Sequence, residues 1–130
     1  MSALFGKVAI LGVGLIGSSI AHAMRRDGVA GHIAGYEPTS AVLERARKVG
    51  FADSLHGDVA GAVRDADLVV MAAPVGAYAE LAQAMAPHLK RGAIVSDVGS
   101  VKSAVLRDAG PHLPRTVHFI PAHPISGTEQ

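Results

Sequence analysis

Three glycines near the N-terminus have the spacing of a phosphate-binding turn, G-x-G-x-x-G, directly behind the apolar run 8–11. They are Gly12, Gly14 and Gly17. In such a turn the first glycine permits a tight bend, the second lets the backbone approach a pyrophosphate, and the third lets the following helix pack closely on the strand. The free N–H groups at the start of that helix, including those of Leu15 and Ile16, would face the phosphates. The spacing predicts a dinucleotide site; a glycine-rich turn without a nucleotide is the alternative.

An acidic residue follows the second strand-like run at the distance expected for a ribose contact. Glu37 comes directly after the run 32–36, about twenty positions beyond the last of the three glycines. Its carboxylate can accept hydrogen bonds from the ribose hydroxyls of NAD and would repel the additional phosphate of NADP. Thr39, Ser40 and Arg45 follow closely, so NADP stays open as an alternative cofactor.

A further candidate contact with a cofactor lies at the end of the apolar run 68–73. Ligands of open α/β sheets bind beyond the carboxyl ends of the strands, and Ala73 and Pro74 would place small side chains there. Proline also ends the strand because it has no N–H group to donate. An ordinary turn between a strand and a helix explains these residues equally well.

His123 is the candidate general acid or base. It follows a predicted strand, lies between two prolines and has the hydroxyls of Ser126 and Thr128 nearby. A histidine in this position can exchange a proton with a substrate beside a nicotinamide. On its own, however, a histidine that only satisfies backbone groups of its loop is the commoner case. Ser100 also follows a predicted strand, close to Asp97, so Ser100 and His123 are expected to meet over one crevice.

Strand-like and helix-like segments alternate along the chain, which is typical of βαβ units and a parallel sheet. Apolar runs predict strands at 8–11, 32–36, 51–55, 68–73, 93–97 and 117–120. Periodicity and end signals predict helices at 15–26, 41–49, 58–65 and 76–85, and a further helix that begins at residue 100. In the first helix we expect Ile16, Ile20 and Ala23 to face the sheet. The predicted fold class is α/β, a doubly wound, mostly parallel sheet of the Rossmann type.

Composition narrows the class of protein. The 130 residues are enough for one domain, and 12 lysines and arginines against 11 acids give no sign of a nucleic-acid or membrane partner. The chain has no cysteine, which excludes disulfides and thiol catalysis and suits a reducing cytoplasm. Its seven histidines have no ligand spacing, so we expect no metal site. No apolar stretch has the length of a transmembrane helix.

Three motifs resemble the prephenate and arogenate dehydrogenases of tyrosine biosynthesis. They are GVGLIGSS at 12–19, DVGSVK at 97–102 and HPISGTE at 123–129. The resemblance covers essentially the whole chain, and the last two motifs together are far more specific than the glycine pattern. It implies oxidative decarboxylation of prephenate or arogenate, with hydride transfer to NAD or NADP.

The resemblance also implies roles for individual residues. His123 would be the catalytic histidine that hydrogen-bonds the ring hydroxyl of the substrate, and Ser100 would help to hold both that hydroxyl and the histidine. Thr128 would lie near the substrate. The three glycines and Glu37 would hold the cofactor.

Members of this family pair the nucleotide-binding domain with a helical C-terminal domain that forms the dimer and supplies substrate-binding arginine and histidine side chains. No arginine follows His123 here. We therefore expect residues 1–130 to be the nucleotide-binding part of a longer homodimeric enzyme, able to bind the cofactor but incomplete in catalysis. A non-catalytic NAD-binding module and a hydroxyacid-type dehydrogenase are the alternatives.

Overall fold

The computed structural model describes residues 3–98 and 109–120. Their strands and helices alternate, as the sequence predicts. The strands are β1 Phe5–Leu11, β2 Ala30–Tyr36, β3 Ser54–His56, β4 Leu68–Met71, β5 Ile94–Asp97 and β6 His118–Phe119. The α-helices are α1 Leu15–Arg26, α2 Ser40–Val49, α3 Val59–Val63 and α4 Tyr78–Met85. Short 3-10 turns lie at Val75–Ala77, Ala86–His88 and Gly110–His112.

The six strands form one sheet in the order β3-β2-β1-β4-β5-β6, and every pairing is parallel. This is the order of a doubly wound dinucleotide-binding sheet, so the predicted fold class is confirmed. From β1 the chain adds β2 and β3 on one side of the sheet, and then crosses to the other side of β1 to add β4, β5 and β6. The strand order therefore reverses between β1 and β4. Ligands of such sheets bind in the crevice that this reversal opens beyond the carboxyl ends of the strands.

Two apolar layers cover the two faces of the sheet. Helices α1 and α2 pack on one face, where the core includes Ile10, Ile33 and Val70. Helices α3 and α4 pack on the other face, where the core includes Leu11 and Met71. Because β1 and β4 lie in the middle and contact helices on both faces, their residues are apolar without alternation.

The buried face of α1 differs from the predicted one. Gly17 and Ala21 are the buried residues of this helix, and Ile20 packs against the same core. Ile16 is 56% exposed, so its predicted place on the inner face is wrong. The reason is the close approach of Gly17 to the glycine turn, which rotates the helix so that its smallest residues lie against the sheet.

Several predicted boundaries also shift. β1 starts three residues earlier than the apolar run 8–11 indicates, because its first residues also pair with β2. β3 lies at Ser54–His56 rather than 51–55, since Phe51 is buried against α1 and α2 instead of extending the strand. The helix predicted at 100 lies outside the described residues. No helix among the described residues is long and apolar enough to cross a membrane.

Candidate functional site

The glycine turn connects β1 to α1 and is held by two contacts that only glycine allows. Gly12 has φ +107°, and a Cβ there would lie 3.0 Å from the carbonyl carbon and oxygen of Ala72. A Cβ on Gly17 would lie 1.8 Å from the carbonyl oxygen of Gly12. The Gly12 N–H donates to the Tyr36 carbonyl at 2.8 Å, which ties the turn to the end of β2. The tight bend and the close helix packing predicted for these two glycines are thus both present.

Gly14 differs from its two neighbours because the fold itself does not require it. An added Cβ would meet no atom within 4 Å, and its backbone is extended at the N-terminus of α1. The first N–H groups of a helix have no partner within the helix. Leu15 and Ile16 begin α1 and are 86% and 56% exposed. This arrangement fits the phosphates of a dinucleotide.

Glu37 is oriented by two backbone groups. The N–H of Val13, within the glycine turn, donates to one carboxylate oxygen at 3.2 Å. The N–H of Thr39, at the start of α2, donates to the other at 3.3 Å. Each carboxylate oxygen can accept a second hydrogen bond, so the group stays available to ribose hydroxyls. The sequence predicts the carboxylate but not this attachment to the glycine turn.

A cleft of about 290 Å³ runs between the glycine turn and α4. Its lining residues are Gly12, Gly14, Tyr36, Glu37, Pro38, Ala72, Ala73, Pro74, Ala77, Glu80 and Leu81. Five predicted cofactor residues therefore meet in one cavity, namely Gly12, Gly14, Glu37, Ala73 and Pro74. The side chains of Leu15 and Ile16 do not line it, and Gly17 lies beneath the turn. Their predicted contacts with the cofactor stay predictions.

Sequence reasoning missed the wall that α4 contributes. Ala77, Glu80 and Leu81 line the cleft, although the prediction assigned no role to this helix. Their spacing of three and four residues places them on one face of the helix. The same spacing is also typical of a face that packs on the core, so it does not by itself indicate a ligand site.

Several carboxylates act on the Tyr36 phenol at one end of the cleft. Burial raises the pKa of the Tyr36 phenol, and the carboxylates of Glu37, Glu80 and Asp58 raise it further in that order. These three acids therefore lie close enough to influence one hydroxyl. An anionic group brought to this end of the cleft would be repelled.

The floor beside the cleft contains a buried pair of polar residues. Tyr78 is fully buried, and its hydroxyl donates to the Met71 carbonyl at 3.3 Å. Burial, and then the carboxylate of Asp97, raise the pKa of Tyr78 to about 12. Asp97 ends β5 and is 2% exposed. The phenol therefore stays neutral under physiological conditions.

The predicted chemistry of the second site falls on residues that the structure does not describe. Ser100, His123 and Thr128 all lie outside the described ranges, so their roles stay predictions. β5 and β6 are adjacent and parallel, so the segments after residues 98 and 120 begin at the same edge of the sheet. Among residues 3–98 and 109–120, no group of three His, Asp or Glu side chains is placed to hold a metal ion.

The chain is similar to known proteins in both sequence and structure. The family described as prephenate dehydrogenase, nucleotide-binding domain, matches residues 20–130. A cyclohexadienyl dehydrogenase from Zymomonas mobilis is 40% identical over 126 residues, which cover 97% of this chain and 43% of the relative.

Two solved structures share the fold over nearly the whole chain. Prephenate dehydrogenase from A. aeolicus, in complex with hydroxyphenyl propionate and NAD+, is 32% identical with a TM-score of 0.82, covering 96% of this chain and 43% of that one. Arogenate dehydrogenase from Synechocystis is 30% identical with a TM-score of 0.80, covering 94% and 42%. This chain thus spans less than half the length of these relatives. Since the family match extends over most of its residues, the chain belongs to the prephenate dehydrogenase nucleotide-binding domain family.

Proposed function

We propose that this domain binds NAD in the cleft between the glycine turn and α4. The pyrophosphate would lie over Gly14, where no protein atom would meet a side chain. The adenosine ribose would donate its hydroxyls to Glu37, which two backbone N–H groups already hold in place. The A. aeolicus relative was solved with NAD+, which supports the same cofactor here. Bound NAD supplies the hydride acceptor.

We further propose that the protein oxidises and decarboxylates prephenate or arogenate in tyrosine biosynthesis. The observation that carries this proposal is the family match over residues 20–130, which includes the motifs at 97–102 and 123–129. The products would be 4-hydroxyphenylpyruvate from prephenate and tyrosine from arogenate. The relatives named cyclohexadienyl dehydrogenase and arogenate dehydrogenase support this class of reaction.

In this proposal, His123 is the base. Its neutral ring accepts the proton of the ring hydroxyl, and the O–H electron pair forms a carbonyl as hydride leaves the same carbon. The bond between the ring and its carboxylate then breaks, carbon dioxide leaves, and the electron pair makes the ring aromatic. The resulting phenolate takes the proton back. Ser100 would hold the hydroxyl and the imidazole in line, and Thr128 would contact the substrate.

The proposal includes a second domain. The carboxylates of the substrate need cationic partners, and this chain covers only 43% of the Z. mobilis relative. We propose that a following helical domain supplies an arginine for them and forms a homodimer. This division of labour leaves the described domain to bind and orient the cofactor.

The test is NADH formation by the complete gene product that contains this chain, with prephenate and arogenate each combined with NAD and NADP. We expect turnover with NAD, and its loss in His123→Asn with unchanged NAD affinity. His118→Asn, at an exposed position on β6, is the matched control and should retain turnover. NAD binding without turnover on any pair would refute the dehydrogenase proposal and leave a nucleotide-binding module.

A further inference from the structure

Glu80 is a charged residue in the cofactor cleft that the proposed chemistry does not use. It lies in the first turn of α4 and lines the cleft together with Ala77 and Leu81. Within the described ranges its side chain makes no hydrogen bond or ion pair with another residue. Glu80 and Tyr36 both line the cleft, and the Glu80 carboxylate is one of the charges that raise the pKa of Tyr36.

The contacts proposed above for the pyrophosphate and the adenosine ribose determine the direction in which a dinucleotide would lie in the cleft. Gly14 marks the phosphate end and Glu37 the adenosine ribose, so the adenine base continues away from the glycine turn. The lining that remains for it consists of Tyr36 and Pro38 on one side and α4 on the other. Apart from the Tyr36 hydroxyl and the Glu80 carboxylate, these walls are apolar. A flat base therefore meets apolar surface on its faces and one carboxylate at an edge.

We propose that Glu80 recognises adenine by accepting a hydrogen bond from its exocyclic amino group. A carboxylate only accepts hydrogen bonds, and the amino group of adenine is a donor. Hypoxanthine has a carbonyl oxygen at the same place, whose lone pairs would face the carboxylate. Glu80 would thus favour adenine among purine bases, whereas Glu37 reads the ribose. Its role depends on the NAD binding proposed above.

A purely structural role for Glu80 is the competing explanation. An acidic side chain in the first turn stabilises a helix through the helix dipole. That role affects the stability of α4 and does not depend on which base the ligand carries. A comparison of two dinucleotides that differ only in the base therefore separates the two roles.

The experiment is calorimetric titration of this chain with NAD+ and with nicotinamide hypoxanthine dinucleotide. We expect the wild type to bind NAD+ about tenfold more tightly, since a hydrogen bond to a charged acceptor is replaced by an unfavourable contact. Glu80→Gln should reduce the ratio to less than about threefold, because an amide can either accept from adenine or donate to hypoxanthine. Glu44→Gln, on the exposed surface of α2, is the matched control and should keep the tenfold ratio.

Three results would overturn the assignment. Equal binding of the two dinucleotides by the wild type would show that no group reads the base edge. A tenfold ratio retained in Glu80→Gln would assign the discrimination to another residue. If the wild type bound neither dinucleotide, the cofactor proposal would fall together with the role of Glu80. The thermal unfolding midpoints of both variants should match that of the wild type, which shows that the exposed substitutions leave the fold intact.

Discussion

The carbonyl oxygen of Gly12 lies where a Cβ on residue 17 would have to be, 1.8 Å away. Helix α1 can thus approach β1 only because residue 17 has no side chain. Gly14, between them in the sequence, has open space around the corresponding position. Packing requires two glycines of the turn, Gly12 and Gly17, whereas no neighbouring atom excludes a side chain at Gly14.

Gly17→Ala should destabilise the domain by about 3 kcal/mol or more, because the added methyl group meets backbone that cannot move aside cheaply. Urea unfolding followed by circular dichroism measures the change. Gly14→Ala is the matched control. Its stability should stay within about 1 kcal/mol of the wild type, while its NAD affinity falls at least about tenfold. Wild-type NAD affinity in Gly14→Ala would contradict the proposed place of the pyrophosphate.

Glu37→Gln should weaken NAD binding about tenfold and shift the preference towards NADP, since the negative charge that repels a phosphate is removed. The amide can still accept from one of the N–H groups of Val13 and Thr39, but its NH2 group faces the other. Titration with both dinucleotides measures the ratio of affinities. Glu44→Gln should leave that ratio unchanged. An unchanged ratio in Glu37→Gln would show that another residue sets cofactor preference.

Asp67 should control the acid stability of the sheet. One carboxylate oxygen accepts from the N–H groups of Gly6 and Lys7 at 2.8 and 3.1 Å, and the other accepts from the Lys90 ammonium group. The hydrogen bond from Lys90, followed by that from the Lys7 backbone, holds the pKa of the Asp67 carboxyl below its usual range. This stabilisation is therefore present above about pH 4 and is lost as pH falls through the lowered value.

Asp67→Asn should lower the free energy of unfolding at neutral pH by about 1 kcal/mol and reduce its fall between about pH 4 and pH 2. Urea unfolding across this pH range is the measurement. Asp65→Asn serves as the control because Asp65 is exposed with φ +61°, a conformation that asparagine also adopts. If Asp67→Asn kept the full acid dependence of the wild type, the assignment to Asp67 would be wrong.

Tyr78 should make the fold sensitive to alkaline pH. Its pKa is raised to about 12 in the folded chain, so the folded state holds the phenolic proton more tightly than the unfolded state does. The corresponding stability is complete below about pH 10 and is lost as pH rises towards 12. Tyr78→Phe should lose about 1 kcal/mol at neutral pH, because the hydrogen bond to Met71 is removed, and should lose less stability at high pH. Unfolding measured at neutral and alkaline pH tests both effects, and a normal tyrosinate titration in the folded wild type would contradict them.

The order of elements and the position of the cleft beside the glycine turn follow from local patterns. Continuous apolar runs predict the central strands, since a strand with helices on both faces has no polar side. The glycine spacing and Glu37 predict the place of the phosphates and the ribose. These signals are readable because each depends on residues that are close in sequence.

The contacts that complete the cleft join residues far apart in the chain, and only the tertiary structure decides them. The start of the first strand lies outside its apolar run, pairs with β2 and is also held by Asp67, about sixty residues away, through the amides of Gly6 and Lys7. Ile16 is apolar but faces solvent, because the contact between Gly17 and Gly12 sets the rotation of α1. Glu80 faces the cleft because the path from β4 to α4 brings the first turn of that helix beside Tyr36. Sequence periodicity predicts which residues share one face of an element. The way in which two elements approach each other decides which face is buried and which residues it contacts.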